Sequence, residues 1–198
     1  MIGTTKRRSI RRRTKITLGR RIACVLFAVL LASWFRLEST ALQDHPVVVV
    51  ETSRGSFEIE TFPEDAPKSV AHVIELVKRG FYDGQRIHRA LPGFLVQWGD
   101  PRSRDTAQEG EWGRGTAASS GTSVGAAELS KKRTHTKGAV GLAHPGTPAQ
   151  ADSQIYVMLA DRPELNGRYA VIGRVIAGDE VPARLERGDL ILRMSVRE

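Results

Sequence analysis

Two stretches of the 198-residue chain gather side chains that can hold a ligand. His88 to Pro101 reads HRALPGFLVQWGDP and carries Arg89 and Gln97; Ala151 to Val175 carries Gln154. Interleaved with them are the apolar or aromatic residues Phe94, Leu95, Tyr156, Leu165 and Tyr169. Arginine offers always-charged donors in a fixed fork, and glutamine donates and accepts at once. Polar groups converging over an apolar surface are what a binding pocket requires. Singly, each residue has a plainer reading. The apolar ones fit a core, Arg89 a surface ion pair, and Gln97 or Gln154 a strand edge. Their joint spacing points to a site.

The other chemistries fail on spacing. There is no H-E-x-x-H and no phosphate loop, and the one cysteine, Cys24, lies in an apolar stretch near the N-terminus. His45, His72, His88, His135 and His144 lack metal-ligand spacing, so neither metal nor cofactor is expected. Ser153 and His144 lack the glycine pattern of a nucleophile elbow, which argues against a hydrolase. His88 points away from Arg89 on a strand and reads as structural. Pro92-Gly93 is a turn, Trp98 packs, and Asp100 is a strand-end hydrogen-bonding residue.

The elements that must carry these residues are mostly strands. Val47–Ser53 and Ser56–Phe62 form a hairpin, with Phe57 and Ile59 alternating against Glu58 and Glu60. A helix opens at Pro67, presents Val70, Val73, Ile74 and Val77 on one stripe, and ends at Gly80. Short β-like runs follow at Arg86–Leu91, Phe94–Gly99, Ala139–Ala143, Gln154–Leu159 and Val171–Ile176. A second helix is expected over Glu180–Arg187, then a strand in which Leu190, Leu192, Met194 and Val196 alternate with polar residues. Eight short strands with glycine-rich turns predict a mainly β fold, a closed eight-stranded antiparallel barrel capped by two helices. Residues 102–137 lack periodicity and read as long loops.

The stretch beginning at His88, the S-Q segment at Ser153-Gln154 and the later L-N-G-R-Y-A-V-I-G-R-V run resemble three successive motifs of the cyclophilins. The opening hairpin and the first helix are similar to that family too, so the resemblance covers Val47 to Glu198. It implies a peptidyl-prolyl cis–trans isomerase acting on proline-containing polypeptides. Rotation about an X-Pro amide crosses a barrier of about 18–20 kcal/mol because it breaks C–N resonance, and it needs no proton transfer or covalent intermediate. Carried over, the family roles make Arg89 the catalytic donor to the twisted prolyl amide. Phe94, Leu95 and Tyr156 line the proline pocket with Leu165 on its rim. Gln97 holds the substrate backbone or Arg89, Gln154 the neighbouring backbone, and His144 contacts the peptide main chain. Glu164 stands at the family's tryptophan position, which implies weak binding of cyclosporin, and Tyr169 at its histidine position. Ile155-Tyr156 replaces a Phe-Phe pair and puts a hydroxyl near the pocket, where it is expected to alter substrate preference. Trp112, in a loop unlike the family's, reads as a cap on the site or a partner contact.

Charge and hydropathy divide the chain. Of 30 basic and 22 acidic residues, positions 1–41 hold ten basic and one acidic, leaving 20 and 21 for the rest. The basic excess is a property of the N-terminus, which removes the case for nucleic acid. Residues 1–21 are a basic segment and 22–41 a hydrophobic helix that is a signal-peptide core or a membrane anchor. Its run from Ile22 to Phe35 spans about 21 Å as helix, short of the roughly 30 Å hydrocarbon core. Ser39 and Ala41 suit the small-residue rule for cleavage after Ala41, whereas Leu42 and the bulky Trp34-Phe35 pair make it a poor site; Arg21 and Arg36 can snorkel if the segment stays as an anchor in inner-membrane lipid. Residues 42–46 are a linker and 47–198 the isomerase domain, expected to be a monomer. A domain without cysteine, exported in this way, points to the bacterial periplasm or envelope.

Overall fold

The computed structural model describes residues 45–115 and 119–197. The basic segment, the apolar stretch with Cys24 and most of the linker lie outside them. Among the described residues no helix is long and apolar enough to cross a membrane.

The eight strands are β1 (Val47–Thr52), β2 (Gly55–Thr61), β3 (Arg89–Leu91), β4 (Leu95–Trp98), β5 (Ala139–Leu142), β6 (Ile155–Met158), β7 (Ala170–Ala177) and β8 (Ile191–Arg197). They form one sheet in the order β3-β4-β6-β5-β7-β2-β1-β8, and every pairing is antiparallel. No ladder joins the end strands β3 and β8. The sheet ends meet through one bridge, Arg86 with Leu190, flanked by Ile87 N–H donating to Asp189 O and Ile191 N–H to Gln85 O. The strand expected from Arg86 therefore begins only at Arg89: Arg86 N–H is taken by Ser103 Oγ at 3.0 Å.

Helix α1 (Pro67–Lys78) packs on β8 and β7. It buries Val70, Val73 and Val77 as expected, with Ser69 and Leu76 added, while Ile74 is half-buried. Its N-cap residue, Ala66, offers no side-chain acceptor. The carboxylate of Glu128 does that work from the long loop, accepting from Lys68 N–H at 2.9 Å and Ser69 N–H at 2.8 Å. The same loop is held by Arg133 and Ser130, which both bond Asp65. Helix α2 is one turn, Val181–Arg184, packed on β2. It stops short of the expected Arg187 because Asp189 captures the Glu186 N–H at 2.7 Å while Leu185 turns into the core in extended conformation.

The central strands are buried on both faces. Val96, Trp98, Val140, Leu142, Ile155, Val157 and Ile172 join Val48, Val50, Phe57 and Ile59 in the main core beneath α1. Leu95, Ala139, Tyr156, Met158 and Val171 point the other way and form a second cluster with Phe62. That second cluster is the foundation of the site.

Candidate active site

Residues opposite one another on neighbouring strands share a face of the sheet. The register sets Arg89 opposite Gln97, Gln97 opposite Tyr156, Tyr156 opposite Gly141 and Gly141 opposite Val171. A polar-to-apolar row thus crosses β3, β4, β6, β5 and β7, with Leu95 and Met158 in the next row along. Period-two alternation places these residues together whatever their side chains.

All nine residues picked out from the sequence, Arg89, Phe94, Leu95, Gln97, His144, Gln154, Tyr156, Leu165 and Tyr169, line one cavity of about 460 Å³. Its polar wall is a chain of bonds. Arg89 Nη1 donates to Gln97 Oε1 at 3.4 Å, Gln97 Nε2 to Gln154 Oε1 at 2.8 Å, and Gln154 Nε2 to Gly113 O at 3.4 Å. Arg89 is exposed while Gln97 is only 8% exposed. The guanidinium therefore reaches the cavity from a buried support. Its Cζ stands 5.7 Å from the Phe94 ring centroid, and Arg162 covers the same ring at 5.1 Å while donating to Gly93 O.

The floor is the second apolar cluster. Tyr156 and Tyr169 meet edge to face at 6.0 Å, and His144 stacks on Tyr169 at 4.6 Å. His144 Nε2 donates to Arg168 O at 3.0 Å and its Nδ1 is buried without a partner, so this ring braces Tyr169. Burial pushes the Tyr156 hydroxyl pKa well above the ordinary tyrosine value, so it stays neutral. Its oxygen lies 2.8 Å from Nε2 of His135, which occupies that hydroxyl.

Sequence reasoning missed His135 and its partner Asn166, as well as Gly141. A Cβ on Gly141 would lie 2.2 Å from the Tyr156 ring, so only glycine lets the phenol lie across β5. Gly113, Arg114, Gln150 and Asp152 extend the cavity beyond Gln154. Asp152 accepts from His72 Nε2 at 2.9 Å and from Ser120 Oγ and N–H at 2.5 and 2.7 Å. Burial works to raise its pKa, but these bonds outweigh it and hold the carboxyl below its usual range.

The supporting residues fall where their types require. Asp100 is fully buried and accepts from Arg102 and from Gly113 N–H, pinning the loop behind the wall. Trp98 packs edge-on to Phe57. Trp112 is not among the residues lining the cavity. It is buried, donates to Asp105 O at 3.0 Å and lies under Arg187, so its role is to fold its own loop.

A family model described as cyclophilin type peptidyl-prolyl cis-trans isomerase/CLD matches residues 47–195. The chain belongs to the cyclophilin family. A probable peptidyl-prolyl cis-trans isomerase of Brucella abortus is 34% identical over 151 residues, 76% of each chain. Peptidyl-prolyl cis-trans isomerase B of Bacillus subtilis is 34% identical over 139 residues, 70% of this cyclophilin and 89% of that protein. The fold matches a crystal structure of a Cryptosporidium parvum cyclophilin type isomerase with a TM-score of 0.67 and 22% identity, covering 78% of this chain and 98% of that one. A second structure of that parasite protein, in the presence of the dipeptide Ala-Pro, gives a TM-score of 0.63 at 22% identity, covering 77% and 99%. This cyclophilin is therefore a peptidyl-prolyl cis–trans isomerase.

Proposed function

We propose that this isomerase turns X-Pro bonds of exported or unfolded polypeptides by arginine-assisted stabilisation of the twisted amide. The observation that carries the reading is the chain from Arg89 through Gln97 to Gln154 beside an apolar floor. A prolyl ring seats on Phe94, Leu95 and Tyr156, with Leu165 at the rim and Tyr169 as a side wall. Gln154 and His144 hold the main chain of the flanking peptide. Arg89 then donates to the prolyl nitrogen, whose lone pair becomes available only as the amide twists. A bond made only in the twisted state lowers the barrier without tightening either planar form. Gln97 keeps the fork from collapsing onto the sheet.

The barrel closes at the Arg86–Leu190 seam, and the domain works as a monomer. The apolar stretch at 22–41 takes it out of the cytoplasm into a bacterial periplasm or envelope, released after Ala41 or held in inner-membrane lipid. Clients are then chains that arrive unfolded across that membrane. Supporting this are the ten basic residues ahead of a near-neutral domain and the absence of cysteine after position 24.

The test is isomerisation of an Ala-Pro-containing peptide by the full chain, followed by exchange NMR. Arg89→Ala should lower kcat/KM by about 100-fold, the size typical of losing one oriented transition-state donor. Full activity in that variant rules out the arginine mechanism. Fractionation of cells into cytoplasm, membrane and periplasm tests the export reading separately; a cytoplasmic pool alone would end it.

A further inference from the structure

The Tyr156 phenol is held from below by a histidine that no part of the isomerase reading requires. The His135 ring is 1% exposed, lies nearly parallel to Tyr156 at 6.0 Å and edge-on to Tyr169 at 6.5 Å. Its hydrogen bonds fix its tautomer. Asn166 Oδ1 receives the His135 backbone N–H at 2.8 Å, which identifies that atom as the carbonyl oxygen. The same oxygen lies 3.1 Å from Nδ1, so Nδ1 carries the proton of the neutral ring. Nε2 is then a lone pair, and the hydroxyl 2.8 Å away must donate to it. His135 O also accepts Arg162 N–H at 2.7 Å, so this one residue ties β6 to the segment that bears Leu165 and Tyr169.

We propose that His135 is a positioning residue of the proline pocket, fixing the Tyr156 phenol by accepting its hydroxyl proton at Nε2. The inference rests on the placement of Tyr156 in that pocket. It also makes the floor sensitive to protons. A second proton on His135 reverses that bond: Nε2–H then donates to the Tyr156 oxygen, and the buried hydroxyl hydrogen is left to find another acceptor. Directly beside it lies Gly141, whose Cα offers no acceptor. The titratable groups facing the ring are Tyr156 from β6 and Tyr169 and Glu164 from the segment before β7. Burial pushes the His135 pKa down, while its bond to Asn166 and the charge of Glu164 push it back up, leaving it below the ordinary histidine value. The neutral, accepting form is therefore the one present at neutral pH.

The experiment is carried out on the full chain with three readouts. ¹³C and ¹⁵N NMR of His135 should report the Nδ1–H tautomer at pH 7.5; an Nε2–H tautomer overturns the proposal. An Ala-Pro-containing peptide should shift the Tyr156 ring signals; if it does not, the pocket assignment itself fails, whatever His135 does. Exchange NMR then gives kcat and KM from pH 8 to pH 5 for wild type, His135→Gln and His135→Phe. Wild type should show KM rising toward the acid end, approaching about tenfold as His135 takes its second proton, the equivalent of one buried donor left unsatisfied. His135→Gln, whose amide oxygen accepts without titrating, should lose that acid limb. His135→Phe should show the high KM at every pH while remaining folded by circular dichroism. Superimposable profiles for wild type and His135→Gln, in protein whose Tyr156 still answers to peptide, would overturn the role given to His135.

Discussion

Gln97 Nε2 donates to Gln154 Oε1 at 2.8 Å, joining a residue of β4 to the one just before β6. Because Gln97 Oε1 also receives Arg89, one amide sets the position of both polar groups that face a substrate. Gln97→Glu keeps the shape of the side chain but adds a charge and replaces the Nε2 donor to Gln154 with a second acceptor. A carboxylate there would pair bidentately with the guanidinium and hold it away from the prolyl nitrogen. We expect kcat/KM to fall about tenfold with little change in melting temperature. Activity equal to wild type would show that Arg89 does not need an uncharged support.

Tyr156 lies across Gly141, so Gly141→Ala forces a methyl group to within 2.2 Å of the phenol ring. Backbone on β5 cannot yield without breaking its ladders to β6 and β7. The phenol must move instead, losing both its place in the floor and its bond to His135. Overpacking of this kind costs about 1–3 kcal/mol. The expected result is a drop in melting temperature of several degrees together with a raised KM for proline peptides. A variant that melts as wild type and binds as wild type would mean that the floor is far softer than its packing indicates.

The two faces of the central strands explain how much of this was legible in the sequence. Arg89, Leu95, Gln97, Gln154 and Tyr156 announce themselves through spacing, because strand alternation brings them to one side, while Phe94 reaches the cavity from the turn before β4. Eight strands and the first helix follow from periodicity for the same reason. His135, Asn166 and Glu128 do not, since each acts through contacts with residues far away in the chain. His135 looks like any loop histidine until β6 brings a tyrosine to its Nε2. The hydroxyl of Tyr156, expected near the pocket as an influence on substrate preference, is bonded to His135 Nε2 at 2.8 Å. The short α2 was misjudged because Asp189 stops the turn from outside it, and helix propensity contains no record of such a partner.

Glu128 supplies both oxygens to the first turn of α1 from 60 positions away. An N-cap acceptor is worth about 0.5–2 kcal/mol whether it comes from the cap residue or from elsewhere. Glu128→Ala should therefore lower the melting temperature by roughly 1–8 °C, using 2–4 °C per kcal/mol for a chain of this size. The loss should fall on α1 and loop 126–133 together, visible as faster amide exchange at Lys68 and Ser69. Unchanged exchange at those two amides would assign the cap to solvent instead.

His88 should make the domain sensitive to mild acid. Its ring is 3% exposed and neither nitrogen has a hydrogen-bond partner. A Cβ on Gly113 would lie 2.8 Å from its Cδ2, so there is no room beside it for a hydration shell. Burial is the main reason its pKa falls from 6.5 to about 4; Asp100 works against that, and Arg187, Arg89 and Arg102 reinforce it. The unfolded chain thus takes up a proton on His88 near pH 6.5, while the folded chain refuses one until about pH 4. Stability from this group is complete above pH 6.5 and is lost as pH falls toward 4, by on the order of 3 kcal/mol in all. His135, also lowered, adds a loss of the same sign. Asp65, Asp100, Asp105 and Asp152, lowered as carboxylates, keep their contribution throughout that window and surrender it only below about pH 4. The slope between pH 6.5 and 4 therefore belongs to the histidines. Urea unfolding at half-unit pH steps should show it in wild type, and His88→Leu should remove most of it without costing a hydrogen bond, since the ring makes none. Parallel curves for the two proteins would mean that His88 is protonated, or solvated, in the folded state.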